Sequence, residues 1–208
     1  MSIFFASVSN ANLILNGSFE VADVDPDDGT HAVGNFARLF AGNPSLDNWT
    51  ILGGGIDFTG SNIWVASDGV NSIDLDSATG ANPGSIEQTF STTAGLTYDV
   101  QFDLSGNFAG GGSIKPLSVS IDGISSSFSF DTTGISATAM NWTTMAFSFV
   151  ADDSFATLNF KSLNVAPNSG YGAVIDNISV NVSTVPVPAA AILFAPALLV
   201  LMGFRRKM

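Results

Sequence analysis

The 208-residue chain contains no cysteine. That excludes a disulfide framework, thiol catalysis and thiolate metal sites, so a core or a hard-ligand metal must supply the stability. Basic residues are almost as scarce. Six Lys and Arg stand against eighteen Asp and Glu, and three of the six are Arg205, Arg206 and Lys207. Before Val185 the chain sets only Arg38, Lys115 and Lys161 against all eighteen acids, a net charge of −15. Such a field repels phosphate backbones and argues against nucleic acid as a partner. It suits an exported protein that meets divalent cations or neutral polymers, simple solubility being the alternative. The single histidine, His31, lies in a Gly/Asp-rich loop and reads as a surface imidazole. A Ser-His-Asp triad would have to use it, and no serine stands in a nucleophile elbow. The glycines at Gly53–Gly55 and Gly110–Gly112 lack the lysine and following helix of a phosphate loop and read as turns.

Both ends carry sorting features. Residues 1–11 read as the remnant of a signal peptide, with Ser9 and Ala11 as the small residues before a cleavage point and Asn12 opening the mature domain. A ragged first strand is the alternative. At the other end, 185–208, Val185-Pro186-Val187-Pro188 precede an apolar run from Ala191 to Phe204 and the basic stop. About twenty apolar residues cross a bilayer core as a helix. The two prolines delay the expected helix to about Ala189, leaving a short, transient span. The basic end should stay cytoplasmic, which puts the body outside. This tail resembles the PEP-CTERM sorting signals of Gram-negative bacteria, in the Val-Pro-Leu-Pro-Ala subtype with Val187 in place of leucine. The resemblance implies recognition by an exosortase-type membrane protease that cuts near Val185–Pro188. It also implies passage through the inner membrane to the cell surface or extracellular matrix.

Between the ends, 12–184 reads as one all-β domain. Tyr98, Val100, Phe102 and Leu104 alternate with polar residues, as do Leu117, Val119 and Ile121. Asp122-Gly123 then joins two alternating runs, the strongest hairpin signal present. Met145, Phe147 and Phe149, then Leu158 and Phe160, then Ile178, Val180 and Val182, supply further inward faces. Short strands between Gly/Asn/Asp/Ser turns predict a sandwich or jelly roll. Seventeen phenylalanines against two tyrosines are core material rather than a binding platform. Trp49 and Trp142 belong to the core or its rim. Five Asn-x-Ser/Thr sequons, at Asn16, Asn48, Asn141, Asn177 and Asn181, read as β-sheet surface composition.

Several segments are similar to the choice-of-anchor C family of exported bacterial proteins. They are Asn12-Leu-Ile-Leu-Asn-Gly-Ser-Phe-Glu20, Asp47-Asn-Trp-Thr50, Trp64 through Leu75, Gly84 through Phe90, Phe102 through Asn107 and Tyr171 through Asn177. The opening Asn-Gly-Ser-Phe-Glu and closing Ile-Asp-Asn-Ile-Ser-Val also resemble the ends of galactose-binding-like jelly rolls. That implies a galactose-binding-like β-sandwich and, by analogy, a carbohydrate ligand.

Asp176 is the most telling acid. Strand parity puts it on one face with Val174, Ile178 and Val180, so it should point inward, where a carboxylate needs hydrogen bonds, a counter-charge or a metal. The galactose-binding-like resemblance implies that Glu20 and Asp176 meet around a structural calcium, completed by carbonyls; the alternative is that Asp176 binds backbone N–H groups. Asp23, Asp25, Asp27 and Asp28 form a solvated loop without EF-hand spacing. For a saccharide, Trp64, Asp68, Asn107 and Tyr171 are the candidates: a ring to stack on the sugar and polar groups for its hydroxyls. The bland reading makes Trp64 core and the others turn residues. No carboxylate pair stands out for glycoside hydrolysis. The expectation is therefore a non-catalytic, surface- or matrix-associated domain that binds extracellular polysaccharide. A purely structural surface protein and a carboxylate-dependent hydrolase are the alternatives.

Overall fold

The computed structural model describes residues 11–25, 36–77, 83–164 and 170–183. His31, Asp27, Asp28, residues 1–10 of the signal-peptide remnant and the sorting tail with its expected helix lie outside the described residues. Those described build eleven strands and no helix. The strands are β1 (Phe36–Leu39), β2 (Thr50–Gly53), β3 (Ile56–Thr59), β4 (Ser72–Asp74), β5 (Gly84–Ser91) and β6 (Thr97–Gly106). They continue with β7 (Ile114–Ile121), β8 (Ile124–Asp131), β9 (Thr143–Val150), β10 (Phe155–Ser162) and β11 (Ala173–Val182). Two antiparallel sheets face each other, one ordered β1-β3-β4-β11-β6-β9 and the other β2-β5-β10-β7-β8. The expected all-β jelly-roll sandwich is the fold.

Period-2 alternation drives the layers together. Tyr98, Val100, Phe102 and Leu104 of β6 are buried, as are Leu117, Val119 and Ile121 of β7 and Leu158 and Phe160 of β10. Between the sheets runs a chain of rings: Phe19 to Trp49 at 5.6 Å, Trp49 to Phe160 at 6.4 Å, Phe160 to Phe102 at 5.1 Å and Phe102 to Phe128 at 5.2 Å. Trp49 is core, and its indole N–H donates to the Asn16 carbonyl at 2.9 Å. The Asp122-Gly123 hairpin forms as expected, with both residues at positive φ and Ile121 paired to Ile124.

The opening segment runs beside β11. Leu13 N–H donates to the Val180 carbonyl, and Ile178 N–H to that of Gly17. A Cβ on Gly17 would stand 2.1 Å from the Ile178 oxygen, so only glycine fits there. Asn16, at φ 53°, ties the following turn through its side chain to Val21 and to the Asp47 carbonyl. Asn48, Asn141 and Asn177 are also left-handed. Four of the five sequon asparagines therefore mark turns or a bulge rather than sheet surface, because asparagine tolerates that conformation better than other non-glycine residues.

One parity expectation fails. The pairing of β11 with β6 shifts register between Asp176 and Ser179, around the left-handed Asn177. This bulge inserts a residue and reverses the facing of the remainder of the strand. Ala173 and Ile175, then Ile178 and Val180, belong to the inter-sheet core, whereas Val174 joins Trp64 and Met140 in a separate cluster. Asp176 is fully buried, but on the outer face of the six-stranded sheet.

Candidate ligand-binding site

The outer face of the six-stranded sheet is covered by loops, so β3 and β4 are buried on both sides. One cover is the 60–71 strap between β3 and β4. Three acids pin it. Asp176 accepts the Ser67 and Asp68 N–H groups at 2.8 and 2.9 Å, and its other oxygen takes that of Asn177 at 2.7 Å. Asp103, the register partner of Asp176, accepts from the hydroxyls of Ser67 and Thr144 and from the Asn177 amide. Glu20 accepts the Val70 and Asn71 N–H groups at 2.9 and 2.8 Å and the Asn71 side chain at 3.2 Å. Burial pushes the Asp176 carboxyl up to about 7 against those stabilising amides. At Asp103 burial acts in the same upward direction, but the three donors outweigh it and hold the group below its ordinary range.

Glu20 and Asp176 thus act on the same strap, as two separate amide clamps. An ionised carboxylate offers about four lone-pair sites, and three are used on each. Calcium takes six to eight oxygens, so most ligands would have to be carbonyls or water. Among the described residues no group of three or more His, Asp or Glu could hold a metal.

Further along this face a cleft of about 330 Å³ opens, lined by Phe36, Arg38, Asp57, Thr59, Ile63, Trp64, Asp74, Asn107, Ala109, Gly170 and Tyr171. Three of the four expected ligand residues meet here: Trp64, Asn107 and Tyr171. Asp68 is not among the lining residues; its backbone anchors the strap instead. Trp64 is a wall rather than an open platform, 4% exposed, with its N–H on the Ser72 hydroxyl at 2.8 Å. Tyr171 and Phe36 are half-buried and offer the more accessible rings.

The cleft floor is charged. Register places Arg38 opposite Asp57 and Asp57 opposite Asp74 on neighbouring strands. Arg38 Nε donates to Asp57 at 3.3 Å. Asp74 accepts from the Asp76 and Gly172 amides, both at 3.0 Å, and from the Asn107 side chain at 2.8 Å. Desolvation raises Asp57 to about 6, opposed by Arg38. It raises Asp74 to about 8, helped by the charge of Asp57. Lys115, fully buried, donates to the Gly110 carbonyl at 2.7 Å and lies 6.0 Å from the Tyr171 ring centre. Burial lowers its pKa, which Asp74 and Asp76 partly restore.

Sequence reasoning missed Phe36, Arg38, Asp57, Asp74 and Lys115. The available signal was acids in β-alternation, Ile56-Asp57-Phe58 and Ile73-Asp74-Leu75, beside the few basic residues. A second concavity, about 470 Å³ on the five-stranded sheet, is lined by Leu52, Gly53, Pro83, Ser85, Asn159 and Lys161 and has no ring. Ligand sites combine apolar and aromatic walls with a few convergent polar groups and perturbed acids, which favours the first cleft.

The two facing sheets form a jelly-roll sandwich, a fold also found in carbohydrate-binding modules. TmCBM61, solved in complex with β-1,4-galactotriose, superposes with a TM-score of 0.53 at 16% identity, over 83% of this chain and 99% of that one. The arabinose-bound MgGH51 α-L-arabinofuranosidase also gives 0.53, at 14% identity, over 84% of this chain but 27% of that one. A family 35 carbohydrate-binding module from Clostridium thermocellum gives 0.45 at 12% identity, over 71% and 98% of the two chains. At such identities the likeness is one of fold. The chain belongs to the DUF642 family (Protein of unknown function), whose family model matches residues 12–181. No curated protein matches it.

Proposed function

We propose that this chain is an exported, non-catalytic domain that binds extracellular polysaccharide in the cleft on the six-stranded sheet. The observation that carries the reading is the convergence of Tyr171, Phe36, Trp64 and Asn107 on one concavity. A half-exposed ring can cover the apolar face of a pyranose while amides and carboxylates bond its hydroxyls. The solved jelly roll holding a galactotriose supports the same direction. The floor acids favour binding over hydrolysis. Asp57 is tied through one oxygen to Arg38, and both oxygens of Asp74 already accept N–H donors, which commits Asp74 to the floor's own hydrogen bonds.

Glycan-array binding by the purified chain, lost in Tyr171→Ala with folding retained, supports this function. Binding to no glycan favours a structural surface protein, and turnover of a polysaccharide panel favours a hydrolase.

Delivery by the tail and a calcium at Glu20 and Asp176 are further parts of the proposal. Deleting Val185–Met208 should alter surface retention, and unchanged location rejects a sorting role for Val185-Pro186-Val187-Pro188, Arg205 and Arg206. Intact basic tail on mature surface protein rejects cleavage by an exosortase-type protease. Chelation should lower the melting temperature if calcium completes the clamps, and an unaffected melt leaves the amides alone to hold the strap.

A further inference from the structure

We propose that two copies of this chain associate through the β9 edge of the six-stranded sheet, β9 pairing antiparallel with its own counterpart about a twofold axis. The four sheet edges differ in kind. β1 and β2 are four residues long, and β1 carries Arg38. β8 and β9 are eight residues each and close the other ends of the two sheets. The outer N–H and C=O groups of an edge strand invite another strand, so edges are normally guarded by a charge, a proline, a bulge or a covering segment.

β9 has none of these guards. It reads Thr-Thr-Met-Ala-Phe-Ser-Phe-Val from Thr143 to Val150, without a charged residue or a proline. All eight residues pair with β6 in one unbroken register, from Thr97 opposite Val150 to Leu104 opposite Thr143. Among the described residues no backbone hydrogen bond reaches its outer side. β8 is nearly as bare: Ile124-Ser-Ser-Ser-Phe-Ser-Phe, with Asp131 alone at its end, runs in unbroken register along β7. The core also stays open between these two edges. The rings of Phe128 on β8 and Phe147 on β9 lie 6.2 Å apart, and both, with Met145, are only partly buried. The flank is thus an apolar seam between two rows of free backbone groups.

Charge selects the occupant. All eighteen acids precede Val185, so two copies repel wherever their acidic surfaces meet. At this flank they can approach. The acids nearest β9 across the sheet, Asp99 and Asp103, are occupied by Ser148 and by Ser67, Thr144 and Asn177. A basic partner would be drawn to the acidic surfaces instead, since an uncharged edge offers it nothing. An antiparallel strand is moreover its own complement. A twofold axis normal to the sheet sets β9 against β9 of a second copy, N–H to C=O, and turns the two ring seams toward each other. The cleft is lined from β1, β3 and β4, at the far end of the same sheet, so both clefts stay open in the pair.

Sedimentation velocity on the purified full chain, over a concentration series reaching near-millimolar, should show a monomer–dimer equilibrium that goes no further, because a twofold contact closes on itself. Ala146 is exposed near the middle of β9. Ala146→Lys supplies the missing guard and should weaken association at least about tenfold, entering twice across the axis, with the circular dichroism of the sandwich retained. Should that variant not fold, hydrogen exchange on the native chain reads the same contact. Dilution should then speed exchange of β9 amides that point away from β6 and leave the central β10 unchanged. A monomer at every concentration, open-ended assembly, or β9 exchange indifferent to dilution overturns the proposal. So does association that survives Ala146→Lys, the result expected if the apolar run from Ala191 to Phe204 drove it. Saccharide binding in the cleft is untouched by any of these results.

Discussion

The two faces of the six-stranded sheet are built from the same strands by opposite means. Inward, Phe58, Ile73, Ile175 and Leu104 join the apolar core shared with the second sheet. Outward, the same strands show Asp57, Asp74, Val174 and Ser105, covered by loops rather than strands. The inner face is held by area, about 1.5–3 kcal/mol for each large apolar side chain fully buried. The outer face is held by individual hydrogen bonds to carboxylates, worth about 1.5–3 kcal/mol each when the acceptor is charged, beside the small Trp64, Met140 and Val174 cluster. Area tolerates small shifts, whereas a clamp works only at its own geometry. Damage to the core should therefore be global, and damage outside should be local and dependent on pH.

The sharpest contrast comes from truncating the ring chain. Phe160→Ala or Trp49→Ala should destabilise the whole sandwich by about 3–5 kcal/mol in chemical denaturation, the range for large aromatic truncations in cores. Asp176→Ala leaves three N–H groups without their acceptor and should cost about 1–3 kcal/mol. Its signature is faster amide exchange at Ser67 and Asp68, with β6 and β10 still protected. Equal exchange throughout would erase the distinction between the faces.

Acidity acts on the outer face alone. The folded-state values of Asp57, Asp176 and Asp74, about 6, 7 and 8, all exceed the ordinary 3.8. Between the two values the folded chain binds more protons than the unfolded one, so stability falls as pH rises. The melting temperature should therefore be higher near pH 5 than near pH 8, and Asp74→Asn should flatten the slope. A melting temperature that rises over that interval would contradict the buried-acid account. Tyr171→Ala should have the smallest effect on stability and the largest on binding, because its ring lines the cleft and only partly enters the packed interior.

The inner face is legible because alternation states it directly: β6, β7 and β10 read in the sequence as they stand in the structure. So does the Asp122-Gly123 turn. Asp176 reads as a buried acid, but parity assigns it to the wrong face. A bulge at Asn177 changes parity without a compositional mark beyond one asparagine. Trp64, Asn107 and Tyr171 stand out singly in loops and at strand ends, and they meet in one cleft. Asp57 and Asp74 do not, since a strand aspartate next to apolar neighbours reads as solvent-facing until a covering loop is known. Lys115 shows the same limit: its burial depends on Gly106 and Tyr171, the latter remote in sequence.

The most direct test of the cleft is an NMR titration of the chain with the tightest-binding oligosaccharide. Shifts confined to the amides of Asn107, Ala109, Gly170 and Tyr171, absent in Tyr171→Ala, are the predicted result. Shifts centred instead on Leu52, Ser85, Asn159 and Lys161 would move the ligand to the opposite sheet and contradict the account.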